Sequence, residues 1–365
     1  MNPSQKHGKG VAECCHSERI PYFDNLKYVL VVLVVVGHAI TPMAEASMGE
    51  PLVKSLYDWI YLFHMPAFVF ISGLFAKSAY STRTGLKVRR MMGFLSIYLF
   101  MLAYYWLVAA FLGHGYIFGL FSTTGAPWYM VAMFWWYLSL PFAVRFKASH
   151  VLVGAIALSF MSGFAGEFGA FLSLGRTVAL APFFYAGYYL NREVVFGIRV
   201  RGGKSIVKVC SFALLAVVFF LAYRFPLLVA YWLDISSGWV SYPAAIGSDS
   251  FFLAVGAGLV RIAAYGVSAL LGLACAMLVP LGSCPISKLG TRTLQVYALH
   301  PLFTNIAYFS NLDSAMLAIT LYWPLFCIVL SIVLSIALAS QFIEKPFQRA
   351  LGKNRILSCS EPMPH

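Results

Sequence analysis

Charged residues are scarce in this chain of 365 residues, where they make up 11% of the total against 61% hydrophobic residues. A soluble domain is usually about half apolar and a quarter charged, so the composition excludes an ordinary soluble protein. Acidic residues are rarer still, with 13 Asp and Glu against 26 Lys and Arg. These shortages indicate a polytopic membrane protein with a basic balance.

Sequence signals for nucleotide-binding loops, metal sites and disulfides are also missing. The chain has no Walker loop, no dinucleotide-binding glycine fingerprint and no Cys/His spacing typical of a metal site, so we expect no metal. Its 7 cysteines fall in predicted inner segments or within spans, and no disulfide is expected. No repeat or linker divides the chain. We predict a cytoplasmic tail at 1–22, one transmembrane domain at 23–346 and a second cytoplasmic tail at 347–365.

The basic residues are concentrated on one side of ten predicted membrane spans. These spans are about 28–42, 56–76, 91–112, 127–144, 150–166, 176–191, 207–230, 251–282, 291–310 and 317–343, the eighth being long enough to be tilted or broken. With a cytoplasmic N-terminus, the basic residues outside the inner segments are Lys54, Arg176, Arg224 and Arg261. The positive-inside rule predicts such a bias. We therefore expect an all-α polytopic membrane bundle of about ten transmembrane helices with cytoplasmic termini, in contact with lipid and not with nucleic acid.

An ionisable side chain interrupts the first apolar run. His38 follows nine residues of which eight are Val or Leu. A charged residue inside hydrocarbon costs about 2.5–3.5 kcal/mol or more, and even a neutral imidazole needs hydrogen-bond partners there. His38 therefore either satisfies a neighbouring backbone group or hydroxyl, or takes part in chemistry.

Helix rise places other nitrogen-bearing groups at the depth of His38. At about 1.5 Å per residue, His38 lies roughly 16 Å above Lys27, near the middle of a hydrocarbon core about 30 Å thick. His64, Arg261 and His300 lie eight to ten residues into their own spans, at a similar depth. We expect either a shared polar cavity inside the bundle or histidines that are satisfied separately.

Two charged residues precede His38 on nearly the same helix face. Lys27 lies eleven residues before it, about three turns, and Asp24 lies fourteen before it. Asp24 either pairs with Lys27 or orients a nearby base. The alternative is an ordinary interfacial carboxylate beside a lysine whose ammonium extends to the interface.

The first inner loop is dense in cations, with Arg83, Lys87, Arg89 and Arg90. Arginine binds phosphate bidentately, so the loop suits a phosphorylated ligand; it also suits topology and contact with anionic lipids. The preceding Ser72-Gly73 pair indicates either close helix approach or a helix that Pro66 kinks at the cavity.

Several segments in a fixed order resemble the membrane-bound acyltransferase family 3, and most closely its fucose 4-O-acetylase-like branch. The segments are Asp24-Asn-Leu-Lys27 with Gly37-His38, Phe63 to Gly73, Arg83 to Arg90, Pro127-Trp128-Tyr129, Gly175-Arg176, Gly290 to Pro301, and Ile343 to Pro346. The family's motif is Arg, ten residues, His. Lys27 holds the Arg position here, which replaces a bidentate phosphate contact with a point charge.

The resemblance implies ten or so helices in a bacterial plasma membrane and O-acyl transfer, usually of acetyl, from cytoplasmic acyl-CoA. The implied acceptors are cell-surface sugars or lipid-linked glycans. His38 would be a general base or acyl carrier. A secondary transporter or exporter is the alternative, since it also needs polar groups at the midplane.

We assign the remaining candidates from depth and residue type. In the catalytic group, Asp24 and Lys27 would set the local charge. His64, Ser72 or Arg261 would stabilise an oxyanion. The acyl-CoA group comprises Arg83, Lys87, Arg89, Arg90, Arg261 and His300. The acceptor group at the outer side comprises Asp58, Trp59, Trp128 and Arg176.

Overall fold

The protein is a bundle of α-helices in the computed structural model, which describes residues 19–45, 50–81, 85–113, 115, 119–122, 125–166, 171–310, 312–317 and 322–350. The helices of this part are α1 (Pro21–Glu45), α2 (Pro51–Tyr61), α3 (His64–Phe75), α4 (Val88–Phe111), α5 (Trp128–Ala143), α6 (Ala148–Ser162), α7 (Leu174–Tyr189), α8 (Arg192–Arg201), α9 (Ser205–Arg224), α10 (Pro226–Ser237), α11 (Tyr242–Ile246), α12 (Phe251–Leu278), α13 (Pro285–Gly290), α14 (Thr293–Phe309), α15 (Leu312–Leu317), α16 (Trp323–Leu338) and α17 (Gln341–Ala350). A 3₁₀ turn at Ala76–Ala79 leads into a short antiparallel hairpin of β1 (Tyr80–Ser81) and β2 (Gly85–Leu86). We refer to the end of the bundle where α1 begins as the inner end and to the opposite end as the outer end.

Each of the ten predicted spans overlaps between one and three helices. In the described part of the chain, five helical segments are long and apolar enough to cross a membrane, namely Pro21–Glu45, Pro51–Ala79, Val88–Phe111, Ser205–Arg224 and Phe251–Leu278. A sixth arises if α16 and the helix after it, which meet at a bend of 66°, form one span. The chain is thus an all-α membrane helix bundle, while ten crossings and cytoplasmic ends stay predictions.

Proline divides the seventh predicted span, 207–230, into two helices. α9 ends at Arg224 and α10 begins at Pro226. Pro226 lacks an N–H and its ring clashes with the preceding turn, so a single helix does not continue through it. The eighth span is one unbroken helix of 28 residues. Its length of about 42 Å exceeds the hydrocarbon core, so α12 is tilted or projects beyond it.

The second predicted span is broken immediately before His64. α2 ends at Tyr61 and α3 begins at His64. Pro66 has no N–H to donate to the carbonyl of Leu62, four residues earlier. The hydroxyl of Ser268 on α12 donates to that carbonyl at 2.5 Å instead. The sequence predicted a kink from Pro66, and the break lies one turn before it.

Two glycines let α3 and α7 approach backbone to backbone. A Cβ on Gly73 would lie 2.0 Å from the carbonyl oxygen of Phe184, and a Cβ on Gly187 would lie 2.0 Å from that of Phe70. Small residues allow such crossings between membrane helices. The interpretation of Ser72-Gly73 as a site of close helix approach therefore holds for Gly73.

The first helix runs through the interior of the bundle. Leu30, Val31, Val35 and Ile40 of α1 are fully buried. A helix that is apolar on all sides is normally buried in protein or lipid, and α1 packs against other helices on several faces. Because His38 is on this helix, it lies inside the bundle and is surrounded by side chains of other helices.

The two predicted tails fall mainly outside the described residues, since 1–18 and 351–365 are not among them. At the C-terminal side, α17 continues past the predicted boundary at 346 and ends at Ala350. Arg292 Nε donates to Glu344 Oε2 at 2.7 Å. This ion pair connects α17 to the start of α14.

Candidate active site

Three histidines from three helices meet in the middle of the bundle. The ring centroids of His38 on α1 and His300 on α14 are 5.2 Å apart. His64 opens α3 and lies within electrostatic reach of His38. The structure thus brings the three side chains together, as the helix-rise arithmetic predicts.

Backbone contacts fix the orientation of two of these rings. His64 Nδ1 lies 2.7 Å from the carbonyl oxygen of Ile60, and His300 Nδ1 lies 3.1 Å from that of Val296. A carbonyl only accepts, so each Nδ1 is the protonated nitrogen and each neutral ring keeps its lone pair on Nε2. His300 Nε2 is buried and has no partner among the described residues.

His38 differs from the other two histidines in its exposure and its contacts. It is half-buried, whereas His64 and His300 are 2% and 0% exposed. Within the described part of the chain, neither ring nitrogen of His38 has a hydrogen-bond partner. His38 is therefore the histidine of the three that is available to a substrate.

A cavity of about 140 Å³ lies on the inner side of the histidines. Its walls come from α1, α3, α4, α5 and α14: Lys27, Phe68, Ile71, Ser72, Phe75, Arg90, Phe94, Tyr129, Met130, Met133, Tyr137, Thr293, Leu294 and Tyr297. The cations Lys27 and Arg90 are contributed by the inner ends of α1 and α4. The cavity is thus cationic at the inner end and mainly aromatic and apolar further in.

An aromatic layer separates this cavity from the histidines. The ring of Tyr297 lies 5.2 Å from that of Tyr129 on the cavity side and 5.8 Å from that of His300 on the other. The Tyr129 hydroxyl is hydrogen-bonded to Ser72, and the Tyr297 hydroxyl donates to the carbonyl of Ala126. His38 does not line the cavity, and the two tyrosines were not among the predicted site residues. The position of Tyr297, one turn before His300, was the available signal.

The basic loop contributes one of its predicted residues to the cavity. Arg90 lines the cavity, and its Nη1 donates to Ser78 Oγ at 2.7 Å. Lys87 and Arg89 are exposed and do not line it. Arg83 lies outside the described residues.

A second arginine at the inner mouth was missed by sequence reasoning. The Arg192 guanidinium of α8 lies 5.5 Å from the ring centroid of Phe75, and Lys27 Nζ lies 4.9 Å from the same centroid. Phe75 lines the cavity. Arg192 and Lys27 are far apart in sequence, so only the fold brings them together around this ring.

Asp24 and Ser72, two of the predicted catalytic residues, lie away from His38 along their helices. The Asp24 carboxylate pairs with Arg19 at 2.6 Å and with Lys27 at 2.7 Å. It lies fourteen residues before His38, about 21 Å along the helix. Ser72 lies eight residues after His64, about 12 Å towards the inner end, because α3 runs away from the histidines. Of the two choices for Asp24, the structure selects the pair with Lys27.

Arg261 faces away from the histidines, and this corrects its expected place in a shared cavity. Its Nε donates to the carbonyl of Ile235 and its Nη1 to that of Ser159, both at 2.7 Å. The guanidinium lies 4.5 Å from the ring centroid of Tyr242. A buried guanidinium needs acceptors for its N–H groups, and here carbonyls near the ends of α6 and α10 supply them. Arg261 therefore connects helices at the outer end.

Arg176 is a cation on the outer side of the histidines, near His38. It lies within electrostatic reach of His38, Tyr57 and Tyr61. Its guanidinium is 4.1 Å from the ring centroid of Trp239 and 5.2 Å from that of Trp128. Two of the predicted acceptor residues, Trp128 and Arg176, are thus in contact on the outer side of the histidines.

The other two predicted acceptor residues face different neighbours. Asp58 is fully buried and pairs with Lys54, one turn earlier on α2. Trp59 Nε1 donates to the carbonyl of Leu215 on α9 at 2.9 Å, and its ring packs against Phe63 and Phe219. Trp59 thus faces α9, because successive residues of a helix point in different directions. Tyr57 and Tyr61, stacked at 4.1 Å, are the residues of α2 near Arg176.

The histidines do not form a metal site in the described residues, where no group of three His, Cys, Asp or Glu side chains is close enough to hold an ion. Imidazole, tyrosine hydroxyls and cations remain as the reactive and charged groups of the site. They suit proton transfer and stabilisation of negative charge.

Comparison with known proteins identifies the family of the chain. A family model described as an acyltransferase domain, that of acyltransferase family 3, matches residues 20–340. No curated protein and no solved structure matches the chain. The matched region contains all three histidines and both groups of cations, and it covers most of the 365 residues. The chain therefore belongs to acyltransferase family 3 and is a membrane acyltransferase.

Proposed function

We propose that the protein is a membrane O-acyltransferase. It takes an acyl group, usually acetyl, from cytoplasmic acyl-CoA and transfers it to a hydroxyl of a cell-surface or lipid-linked carbohydrate. The observation that carries the proposal is the position of His38, half-buried and without a hydrogen bond to any described residue. It lies between a cationic inner cavity and an aromatic, cationic outer site.

The inner cavity suits the donor. Lys27 and Arg90 at its mouth are placed for the phosphates of coenzyme A, which cations bind through charge-assisted hydrogen bonds. A pantetheine arm of about 15–20 Å covers the rise of roughly 16 Å from Lys27 to His38. The apolar walls, with Phe68 and Met130 among them, suit the acyl chain. Tyr129 and Tyr297 close this path, so a rotation of one of them must accompany entry of the thioester.

His38 is placed to act as the general base. It would accept the proton of the acceptor hydroxyl while the new oxygen–carbon bond forms and the carbon–sulfur bond of the thioester breaks. That proton would then pass to the departing thiolate. The alternative is a short-lived acyl group on the His38 ring, which the acceptor removes in a second step.

His300 and Arg176 are two polar groups beside His38. His300 Nε2, which has no partner among the described residues, is suited to accept a hydrogen bond from a protonated His38 ring. Arg176 adds positive charge on the outer side of His38, where the acceptor would enter. Of the earlier candidates for stabilising the thioester oxyanion, Ser72 and Arg261 lie elsewhere, whereas His64 lies within electrostatic reach of His38.

A carbohydrate acceptor is supported by the family and by the resemblance to the fucose 4-O-acetylase-like branch. The same resemblance supports location in a bacterial plasma membrane. Aromatic rings at the outer end, from Tyr57, Tyr61 and Trp239, offer flat surfaces of the kind that hold sugars. The acceptor would enter from that end and the donor from the opposite one.

The proposal is tested with inverted membrane vesicles from cells that express the protein and from cells that lack it. Radiolabelled acetyl-CoA is supplied to the exposed cytoplasmic face, and free coenzyme A and labelled glycan are measured. The proposal predicts release of coenzyme A outside the vesicles and label on glycan in the expressing vesicles only. Uptake of intact acetyl-CoA or of a preformed acetylated glycan, with no thioester cleavage, would show a transporter instead.

A further inference from the structure

The segment before Arg176 has an unusual backbone. Leu172 and Ser173 both have positive φ angles, 44° and 54°, although neither is glycine. Such conformations are costly for side-chain-bearing residues and persist where the surroundings impose them, often at functional sites. Here the Leu172 carbonyl accepts from Trp135 Nε1 at 3.3 Å, and its N–H donates to the carbonyl of Phe121 at 2.7 Å. The start of α7, and Arg176 with it, is therefore held in one position.

A close backbone contact positions the ring of Trp239 against Arg176. Gly238 has φ +70°, and a Cβ there would lie 2.5 Å from the carbonyl oxygen of Gly175. Only glycine fits a left-handed conformation at this separation. The contact places the next residue, Trp239, over the Arg176 guanidinium at 4.1 Å. Two glycines in different segments thus build the contact between this ring and this cation.

Arg176 has aromatic neighbours and, among the described residues, no carboxylate partner. No Asp or Glu of the described residues pairs with it, and its Nε is buried without a partner. The rings of Trp128 and Trp239 interact with the positive charge through their π faces. They accept no ordinary hydrogen bond, so the planar N–H fork of the guanidinium is left for another ligand.

The position of Arg176 assigns that ligand to the acceptor side. Arg176 is the third residue of α7, at the outer end, whereas the cations of the cavity, Lys27 and Arg90, lie at the inner end. It lies within electrostatic reach of His38 and Tyr297. A molecule that brings a hydroxyl to His38 from the outer end would pass this guanidinium.

We propose that Arg176, held between Trp128 and Trp239, binds an oxyanion on the acceptor, so that the enzyme acts on acidic carbohydrates. The oxyanion is a carboxylate, as in a uronic acid, or a phosphate, as in a phosphorylated sugar; the guanidinium fork binds both. This inference rests on the proposed acyltransferase function and narrows its acceptor class.

The test uses the purified full-length protein and three sugars that differ at one carbon: D-glucose, D-glucuronate and D-glucose 6-phosphate. Tryptophan fluorescence reports binding, because two indoles flank Arg176. The wild type should bind one or both acidic sugars at least about tenfold more tightly than glucose, which corresponds to about 1.4 kcal/mol. Preference for glucuronate alone identifies a carboxylate acceptor, and preference for the phosphate alone identifies a phosphorylated one.

Variants make the assignment specific to this side chain. Arg176→Gln should remove the preference, and Arg176→Lys should retain part of it, since a point charge remains. Arg224→Gln is the matched control: Arg224 is exposed at the end of α9 and its guanidinium lies 5.4 Å from the ring centroid of Phe225. The Arg224 variant should bind like the wild type.

The inference is overturned if the wild type binds all three sugars equally, if it responds to neither acidic sugar, or if the preference survives in Arg176→Gln. Cleavage of acetyl-CoA is measured on the same preparations. Cleavage of acetyl-CoA without any preference for acidic sugars would refute the acidic acceptor and support the acyltransferase function. A preference for acidic sugars without cleavage would refute the proposed donor reaction and support the anion site at Arg176.

Discussion

The imidazole rings of His38 and His300 lie 5.2 Å apart, centroid to centroid, with an angle of 49° between their planes. His300 is anchored through Nδ1 to the carbonyl of Val296, and its Nε2 is buried without a partner in the described part of the chain. No described residue anchors the His38 ring in this way. One ring is therefore fixed by the backbone, and the adjacent ring is available for chemistry.

We expect His300 to act on the reaction through His38 as a positioning residue. Replacing it by phenylalanine keeps an aromatic ring against Tyr297 and removes the nitrogen that would accept a hydrogen bond from protonated His38. A hydrogen bond to a charged group contributes about 1.5–3 kcal/mol, so kcat should fall about tenfold or more. The KM for acetyl-CoA should not change. Steady-state kinetics on the purified variant measures both values.

The control for this variant is His150→Phe, because His150 is exposed near the start of α6. It should leave kcat and KM at wild-type values. An unchanged kcat in His300→Phe, or a rise in KM alone, would remove His300 from the reaction centre.

Adjacent arginines on α4 provide a matched pair for the donor site. Arg90 lines the inner cavity, whereas Arg89 is exposed and does not. Arg90→Gln should raise the KM for acetyl-CoA about tenfold or more, because a charge-assisted phosphate contact of about 1.5–3 kcal/mol is lost. Arg89→Gln should have little effect. Equal changes in both variants would mean that the loop acts through its net charge and not through a phosphate contact.

The sequence predicted the height of most side chains but not the direction in which they point. Helix rise was enough to bring His38, His64 and His300 to one level. The same arithmetic put Arg261 at that level, and the structure turns it towards Tyr242 and the carbonyls of α6 and α10. Direction depends on which helices are neighbours, and that information is spread over contacts distant in sequence.

The unpredicted parts of the site have the same origin. Arg192 and Lys27 meet at Phe75, and Trp239 reaches Arg176 through a contact between two glycines. None of these pairs is local in sequence. The break before His64 was partly predictable, because Pro66 removes an identifiable hydrogen bond. The donation from Ser268 to the Leu62 carbonyl could not be predicted from the sequence, because the two residues lie far apart in the chain.

Removing the hydroxyl of Ser268 should disturb the break that orients His64. In Ser268→Ala, the Leu62 carbonyl loses its donor, and an unsatisfied buried carbonyl costs about 1–3 kcal/mol. We expect a lower midpoint of thermal unfolding and reduced acyl transfer. Ser268→Thr retains a hydroxyl and is the control. Wild-type stability and activity in Ser268→Ala would show that the contact is dispensable.

The crossing of α3 and α7 should tolerate no side chain larger than hydrogen at two positions. Gly73→Ala and Gly187→Ala each place a Cβ 2.0 Å from a carbonyl oxygen of the facing helix. The helices must separate, and overpacking of this kind costs about 1–3 kcal/mol or more. Size-exclusion profiles in detergent should show less monodisperse protein than for the wild type.

Two other helical glycines serve as controls for this crossing. A Cβ at Gly154 on α6 or at Gly256 on α12 would meet nothing within 4 Å. Alanine also favours helix over glycine by about 1 kcal/mol, so these variants should be as well folded as the wild type. Similar behaviour of all four alanine variants would argue against a tight α3–α7 contact.

The role of His38 is tested most directly by acetyl transfer in the His38→Ala variant, measured in the vesicle assay at matched protein level. Loss of a general base lowers a rate about 10²–10⁴-fold, and an acyl carrier would be lost altogether. His38 has no hydrogen bond to a described residue, so the variant should still insert and fold normally by size exclusion. We expect folded protein that releases almost no coenzyme A and labels no glycan. Transfer at the wild-type rate would contradict the central role of His38.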